Sequence, residues 1–158
     1  MQKARTSLRV LTGPACALML TAASFAYAQD GPHKVVSSTD APEAIGPYSQ
    51  AILAGNTLFL AGQIPIDPKT KQMMGDASIE EQTKLVLENL KAVLAAEGMT
   101  MAHIVSTSVF MKDLNEFSKM NAVYATYFPK SPPARATVQV ARLPRDAKVE
   151  ISAIAVKP

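Results

Sequence analysis

Cysteine is nearly absent from this 158-residue chain: Cys16 is the only one, and it sits in an N-terminal stretch that reads as removable. Without it, disulfides, thiolate metal sites and cysteine nucleophiles are excluded, and the remainder tolerates either redox compartment. Acidic residues are missing from the first 29 positions, where Lys3, Arg5 and Arg9 precede the almost wholly apolar or small residues 10–25. Ala26-Tyr27-Ala28 then places small residues at the two positions a signal peptidase reads, ahead of the polar Gln29-Asp30-Gly31-Pro32. Charged, apolar and small regions in that order form an export signal, so cleavage is expected after Ala28 and the mature protein is expected to be periplasmic or secreted. The apolar stretch is shorter than the roughly 20 residues that span a bilayer, and Gly13-Pro14 interrupts it, so no membrane contact is expected after signal removal. Gly13, not leucine, stands three residues before Cys16, and the lipoprotein pattern is therefore missing as well.

Excess charge of one sign is absent from the remainder of the chain. Three of the sixteen basic residues lie in the leader, which leaves thirteen against thirteen acidic ones in residues 29–158. The net charge of +3 belongs to the export signal and gives no reason to expect nucleic acid as a partner. His33 and His103 are the only histidines, too few and too far apart for a metal cluster. Gly46-Pro47 and Gly62-Gln63 are isolated and match no phosphate-loop fingerprint, and no Ser, His and Asp spacing suggests a nucleophile elbow. There is neither a repeat nor a low-complexity tract. The 130 residues after the leader suit one domain with a two-layer core, with 29–34 expected as a flexible lead and 35–158 as the domain.

The mature chain is a succession of short β-rich runs around two helical patterns. Ala51-Ile52-Leu53 and Thr57-Leu58-Phe59-Leu60 flank Ala54-Gly55-Asn56, whose glycine and asparagine accept positive φ, so a hairpin is expected that Pro65 and Pro68 terminate. Ser78-Ile79-Glu80-Glu81 has the form of a capping box. The stripe Ile79, Thr83, Val86, Leu90 and Val93 predicts a helix from there through Ala96, stopped by Gly98 and packed on a sheet. A strand over residues 105–111 precedes a second helix, capped by Asp113 or Asn115, carrying Phe117, Met120, Tyr124 and Tyr127, and stopped by Pro129. Residues 136–140 and 148–156 are two further strands. The order read in this way is ββαβαββ, and two helices on one face of a mixed sheet is the simplest two-layer solution for it.

Two charges stand out because each lies in or beside a β-rich run. Arg135 follows the rigid Ser131-Pro132-Pro133-Ala134, where its guanidinium could grip a carboxylate at two points; Glu150 lies between Val149 and Ile151 and points away from both. Taken alone, these residues are equally compatible with solvated edge-strand charges or with a salt bridge to each other.

Five segments carry a resemblance. Ala44-Ile45-Gly46-Pro47-Tyr48-Ser49-Gln50, Ala61-Gly62-Gln63-Ile64-Pro65, Val109-Phe110-Met111-Lys112-Asp113-Leu114, Pro133-Ala134-Arg135 through Val140-Ala141-Arg142-Leu143-Pro144, and Val149-Glu150-Ile151 to Ala153-Ile154-Ala155-Val156 resemble the RidA/YjgF/UK114 family in its own order, over about residues 35 to 157. The resemblance implies a chorismate-mutase-like α+β subunit, a six-stranded mixed sheet with two helices on one face. It also implies a homotrimer with sites between neighbouring subunits. It further implies cofactor-independent hydrolysis of reactive enamines and imines, of the 2-aminoacrylate type, to 2-keto acids and ammonia. Arg135 then matches the arginine that holds the substrate carboxylate, and Glu150 the acid that activates water. Tyr48 and Asn121 match wall residues, while the amides of Gly62 and Thr137 match backbone contacts to substrate. Ala61 stands where relatives often carry serine and Thr137 where they often carry cysteine, departures that bear on substrate preference. A non-catalytic trimer, exported to bind small carboxylates or to hold unfolded clients, is the competing expectation. The endoribonuclease activity of some relatives fits poorly with the neutral mature chain, which has no interleaved basic and aromatic patch.

Overall fold

The computed structural model describes residues 33–157, so the export signal read in 1–28 lies outside the described residues. In chain order the strands are β1 (Lys34–Val36), β2 (Ala51–Ala54), β3 (Thr57–Gln63), β4 (Ile104–Met111), β5 (Ala134–Gln139) and β6 (Val149–Val156); the helices are α1 (Ile79–Ala95) and α2 (Phe117–Tyr127). The six strands form one sheet in the order β1-β2-β3-β6-β4-β5. All neighbours are antiparallel except β4 and β5, which run parallel and are joined through α2. This is the six-stranded mixed sheet that the resemblance implied. The order read from the residues alone lacked β1, whose three residues are too few to show alternation, and β1 begins at Lys34, inside the segment read as a flexible lead.

Local chemistry accounts for the elements. Gly55 takes φ +60° at the start of a two-residue turn, which lets Ala54 pair with Thr57. Ser78 Oγ accepts from the Glu81 amide at 3.2 Å, and the Glu81 carboxylate accepts from the Ser78 amide at 2.9 Å, so the capping box forms as read. Beyond α1, Gly98 adopts φ +66° and the Met99 amide donates back to the Leu94 carbonyl, which closes the last turn. Asp113 accepts from the Asn115 amide at 2.8 Å and caps a short 3-10 turn that leads into α2.

Both helices lie on one face of the sheet. Val86, Leu87, Leu90, Val93 and Leu94 of α1 and Met120 of α2 meet Leu58, Val109, Met111, Val149 and Ile151 from the strands, all fully buried. Each such side chain contributes roughly 1.5–3 kcal/mol against the exposed state. The alternate residues of β6, Glu150, Ser152 and Ile154, point to the other face, which no described element covers. On that face Phe59 and Val138 remain 47% and 45% exposed.

Glu97, at the end of α1, ties the two ends of the described chain together. Its carboxylate, only 6% exposed, accepts from Lys34 Nζ at 2.8 Å and from Lys157 Nζ at 3.0 Å. The Lys34 hydrogen bond, then that of Lys157, hold its pKa below the ordinary 4.5. A carboxyl whose pKa is lowered by folding stabilises the folded state above its unfolded pKa, and the contribution vanishes as pH falls through the lowered value. Glu97→Gln is therefore expected to lower Tm at pH 7, with the difference from wild type shrinking below about pH 4; thermal melts across that range check it.

Candidate active site

Arg135 lies on β5, the strand at one edge of the sheet, paired with Thr107 of β4; two residues on, Thr137 pairs with Val109. Thr107 and Val109 are buried under the helices, so Arg135 and Thr137 face the helix layer too. Their neighbours come from α2. The Arg135 guanidinium carbon sits 4.5 Å from the centroid of the Tyr124 ring and 5.7 Å from that of Phe117. Cation–π attraction of this kind contributes about 0.5–2 kcal/mol and orients the fork without neutralising it. Asn121 is four residues after Phe117 and three before Tyr124, which places it, half-buried, on the same face of α2. Tyr124 is fixed from below, where its hydroxyl shares a 2.7 Å hydrogen bond with Thr107 Oγ1 and its ring lies 4.6 Å from that of Phe128. Burial pushes the pKa of Tyr124 up, opposed by the Thr107 bond and the nearby Arg135 charge. Among the described residues the Arg135 guanidinium has no ion pair, and its polar neighbour within the chain is the Tyr124 hydroxyl. The Thr137 hydroxyl is buried without a partner.

Glu150 occupies the opposite face. It pairs with Phe110, three residues along β4 from Thr107 and therefore pointing the other way. Its carboxyl lies over Gly62, at a bulge where the β3 register slips between Leu60↔Ala153 and Gln63↔Ile151. A Cβ at Gly62 would stand 2.8 Å from Glu150 Cδ, so the carboxyl keeps this position only over a glycine. Burial pushes the Glu150 pKa up, and the carboxylate has no hydrogen bond or ion pair among the described residues. Gly62→Ala is expected to push this carboxyl toward water and return its pKa toward 4.5, while the fold is kept; carboxyl NMR titration of both proteins measures the change.

Tyr48 and Gly62 line one recess together with residues 42–45. Tyr48 Oη accepts from the Ile45 amide at 3.2 Å, and its ring stays 48% exposed. Gln50, buried at 6%, knots this wall: its Nε2 donates to the Pro42 and Ser38 carbonyls at 2.6 and 3.1 Å, and its Oε1 accepts from the Ser38 amide at 2.6 Å.

The six residues singled out in the sequence thus fall into two clusters, Arg135, Asn121 and Thr137 on one face of the sheet and Tyr48, Gly62 and Glu150 on the other. A single chain does not bring them together. The alternative of an Arg135–Glu150 salt bridge is overturned, because the sheet lies between them, and so is Glu150 as an edge-strand charge, because β6 is an interior strand. Sequence reasoning missed Tyr124 and Thr107 as the support of Arg135, and Gln50 as the pin of the Tyr48 wall. The only signal for Gln50 was a polar residue abutting an apolar strand; Tyr124 stood out only as one member of the second helical pattern.

Fold and clusters together define a class: small α+β proteins with an arginine free of ion pairs on one face of the sheet and a half-buried, unpaired carboxylate on the other. Comparison with known proteins makes this specific. The chain belongs to the family described as endoribonuclease L-PSP, the RidA/YjgF family, whose profile matches residues 38–157. A RutC family protein of Pyrococcus horikoshii is 55% identical over 125 residues, covering 78% of this chain and 98% of the relative. The mouse 2-iminobutanoate/2-iminopropanoate deaminase is 47% identical over 124 residues, covering 78% and 91%. Among solved structures, E. coli TdcF with bound serine superposes with a TM-score of 0.76 at 43% identity, covering 79% of this chain and 99% of that one. The E. coli YjgF gene product gives 0.75 at 44% identity, covering 79% and 99%.

Proposed function

We propose that the protein is a homotrimeric hydrolase that converts reactive 2-imino acids to 2-keto acids and ammonia, in clefts where the Arg135 cluster of one subunit meets the Glu150 cluster of the next. The observation that carries this reading is the placement of two complementary clusters without ion pairs on opposite faces of one sheet, with the face that carries Glu150, Phe59 and Val138 left uncovered. Cyclic symmetry brings such surfaces together without a second kind of chain. Kinship with a named imine deaminase supports the reaction, and serine bound to TdcF supports a small amino-acid-like ligand.

The chemistry asks for few groups. Arg135 holds the substrate carboxylate through two charge-assisted hydrogen bonds, with Asn121 and the Thr137 amide beside it. An enamine first tautomerises to the imine, whose C2 is already electrophilic. Glu150 takes a proton from water as its oxygen bonds to C2 and passes that proton to the imine nitrogen, which gives a neutral carbinolamine. Glu150 then takes the hydroxyl proton and delivers it to the nitrogen as the keto group forms, C2–N breaks and ammonia leaves. A carboxyl whose pKa is raised by burial is a stronger base than an ordinary one, closer to the operating pH. Holding imine and water together supplies the remainder by removing the entropy of encounter. No step calls for a cofactor. With the leader cleaved after Ala28, the enzyme works outside the cytoplasm; N-terminal sequencing of the exported protein, which should begin at Gln29, tests that location.

Mixed trimers test the shared site. Arg135→Ala and Glu150→Gln subunits are each inactive alone, yet a mixed trimer joins one intact Arg135 cluster to one intact Glu150 cluster. Random mixing should recover about a quarter of wild-type ammonia release, one cleft of three in each mixed trimer. No recovery, or a monomeric mass by light scattering, rejects the shared cleft. Wild-type protein that binds 2-oxobutanoate without turning over any imine would favour the exported carboxylate-binding alternative.

A further inference from the structure

Beside Tyr48 the chain forms an open cavity of about 630 Å³, several times the volume of a three-carbon imino acid and within the range of sites for larger ligands. Val36, Ala41, Pro42, Ile45 and Ile66 make much of its wall apolar. The same residues 42–45, with Tyr48 and Ile66, line the recess that contains Gly62, so the cavity shares a wall with the recess at the glycine over which Glu150 lies.

Four charged side chains line it: Glu43, Asp67, Lys71 and Arg145. Three are engaged. Lys71 Nζ is 3.3 Å from Glu43, and the Asp67 carboxylate accepts from the Lys69 and Thr70 amides at 2.8 Å each, which holds its pKa low. Arg145 makes neither an ion pair nor a hydrogen bond among the described residues. Its neighbour Asp146 is already taken, because Arg142 grips that carboxylate at two points, 2.7 and 2.9 Å.

The backbone that presents Arg145 is strained. Arg145 and Asp146 have φ of +53° and +57°, consecutive left-handed residues without a glycine. Each is unfavourable for a residue with a Cβ and persists only when its surroundings hold it. Buried Leu143 and Ala147 anchor the two ends of the turn, and the Arg142–Asp146 pair clamps it. The result is an unpaired guanidinium at the rim of an apolar cavity that shares a wall with the Gly62 recess.

We propose, on the deaminase reading above, that this cavity receives the substrate side chain and that Arg145 selects side chains ending in a carboxylate, so that 2-imino dicarboxylates are the preferred class. Arg135 holds the carboxylate next to the imine carbon, and Arg145 the distal one. A planar guanidinium suits the second role because it meets a carboxylate at two points, which an ammonium does not.

Imines generated in situ by amino-acid oxidases from glutamate and from norvaline compare a charged with a neutral side chain of similar length. Wild type should show the higher kcat/KM for the glutamate-derived imine. Arg145→Gln should lower that value about tenfold or more and leave the norvaline-derived value within about twofold, with Arg145→Lys recovering part of the loss. Equal losses on both imines, or none on either, overturn the proposal. Calorimetry with 2-oxoglutarate and 2-oxobutanoate separates it from the deaminase reading, because neither probe needs turnover. If no imine is hydrolysed, that reading falls, while weaker 2-oxoglutarate binding in Arg145→Gln, with 2-oxobutanoate binding unchanged, still upholds the Arg145 site. Unchanged 2-oxoglutarate binding overturns it.

Discussion

Glu150→Gln is expected to abolish most imine hydrolysis while leaving carboxylate binding intact. Glutamine fills the same space over Gly62 and keeps hydrogen-bonding capacity, but it cannot take the proton that the attacking water must lose. Losing a general base of this kind typically costs about 100- to 10,000-fold in rate. The pH profile gives a second readout. The base works only when ionised, and burial raises the pKa of Glu150 above the ordinary 4.5, so wild-type kcat/KM should fall on the acid side at a higher pH than an ordinary glutamate would give. The variant should lose that acid limb. Stability should move the other way. A pKa raised by folding means that ionising the carboxyl costs folded-state stability at neutral pH, so the variant should melt no lower than wild type. Wild-type turnover in Glu150→Gln would remove Glu150 as the base.

Arg135→Ala is expected to lose binding and turnover together. The guanidinium is held over Tyr124 and Phe117 and has no ion pair among the described residues, so a bound carboxylate breaks no internal salt bridge. Charge-assisted hydrogen bonds contribute about 1.5–3 kcal/mol each, so kcat/KM should drop by about 10- to 100-fold if one contact counts and by about 100- to 10,000-fold if both count fully. Ground state and transition state both carry the carboxylate, so KM for imines and Kd for 2-oxobutanoate should rise in parallel, unlike the result for Glu150→Gln. Steady-state kinetics beside calorimetry distinguishes the two patterns. The fold should persist, since Arg135 is exposed on an edge strand and pairs with no acidic side chain of the described chain. Arg135→Ala with unchanged kcat/KM would transfer the protein to the binding-protein alternative.

The contrast between these variants depends on geometry that no local pattern in the sequence carries. Arg135 and Glu150 are both conspicuous as charges in β-rich runs, and on that footing a mutual salt bridge is as good a reading as two functional roles. Strand pairing decides between them: Arg135 shares a face with Thr107, and Glu150 with Phe110, three positions further along the same strand. The bulge that lets Glu150 lie over Gly62 is equally hidden, because it is a property of register between β3 and β6, nearly ninety residues apart in the chain. The support of Arg135 by Tyr124 and Thr107 likewise needs α2 to dock on β4.

The sequence by itself determined the parts whose physics is local. The capping box at Ser78, the left-handed glycines at 55 and 98 and the alternation of β6 are set by hydrogen bonds and side-chain periods a few residues long, and each formed as read, whereas Asp113 caps a 3-10 turn and α2 itself starts at Phe117 without a side-chain cap. Resemblance in five segments supplied the family and the two-helix, six-stranded architecture. Only the tertiary structure decided which face of the sheet the helices cover, that three-residue β1 joins it, that β5 runs parallel to β4 at the edge, and that the candidate residues divide between two faces. Those choices depend on burial and pairing between segments far apart in the chain, where one residue of register exchanges the buried face for the open one, so no window along the sequence contains them.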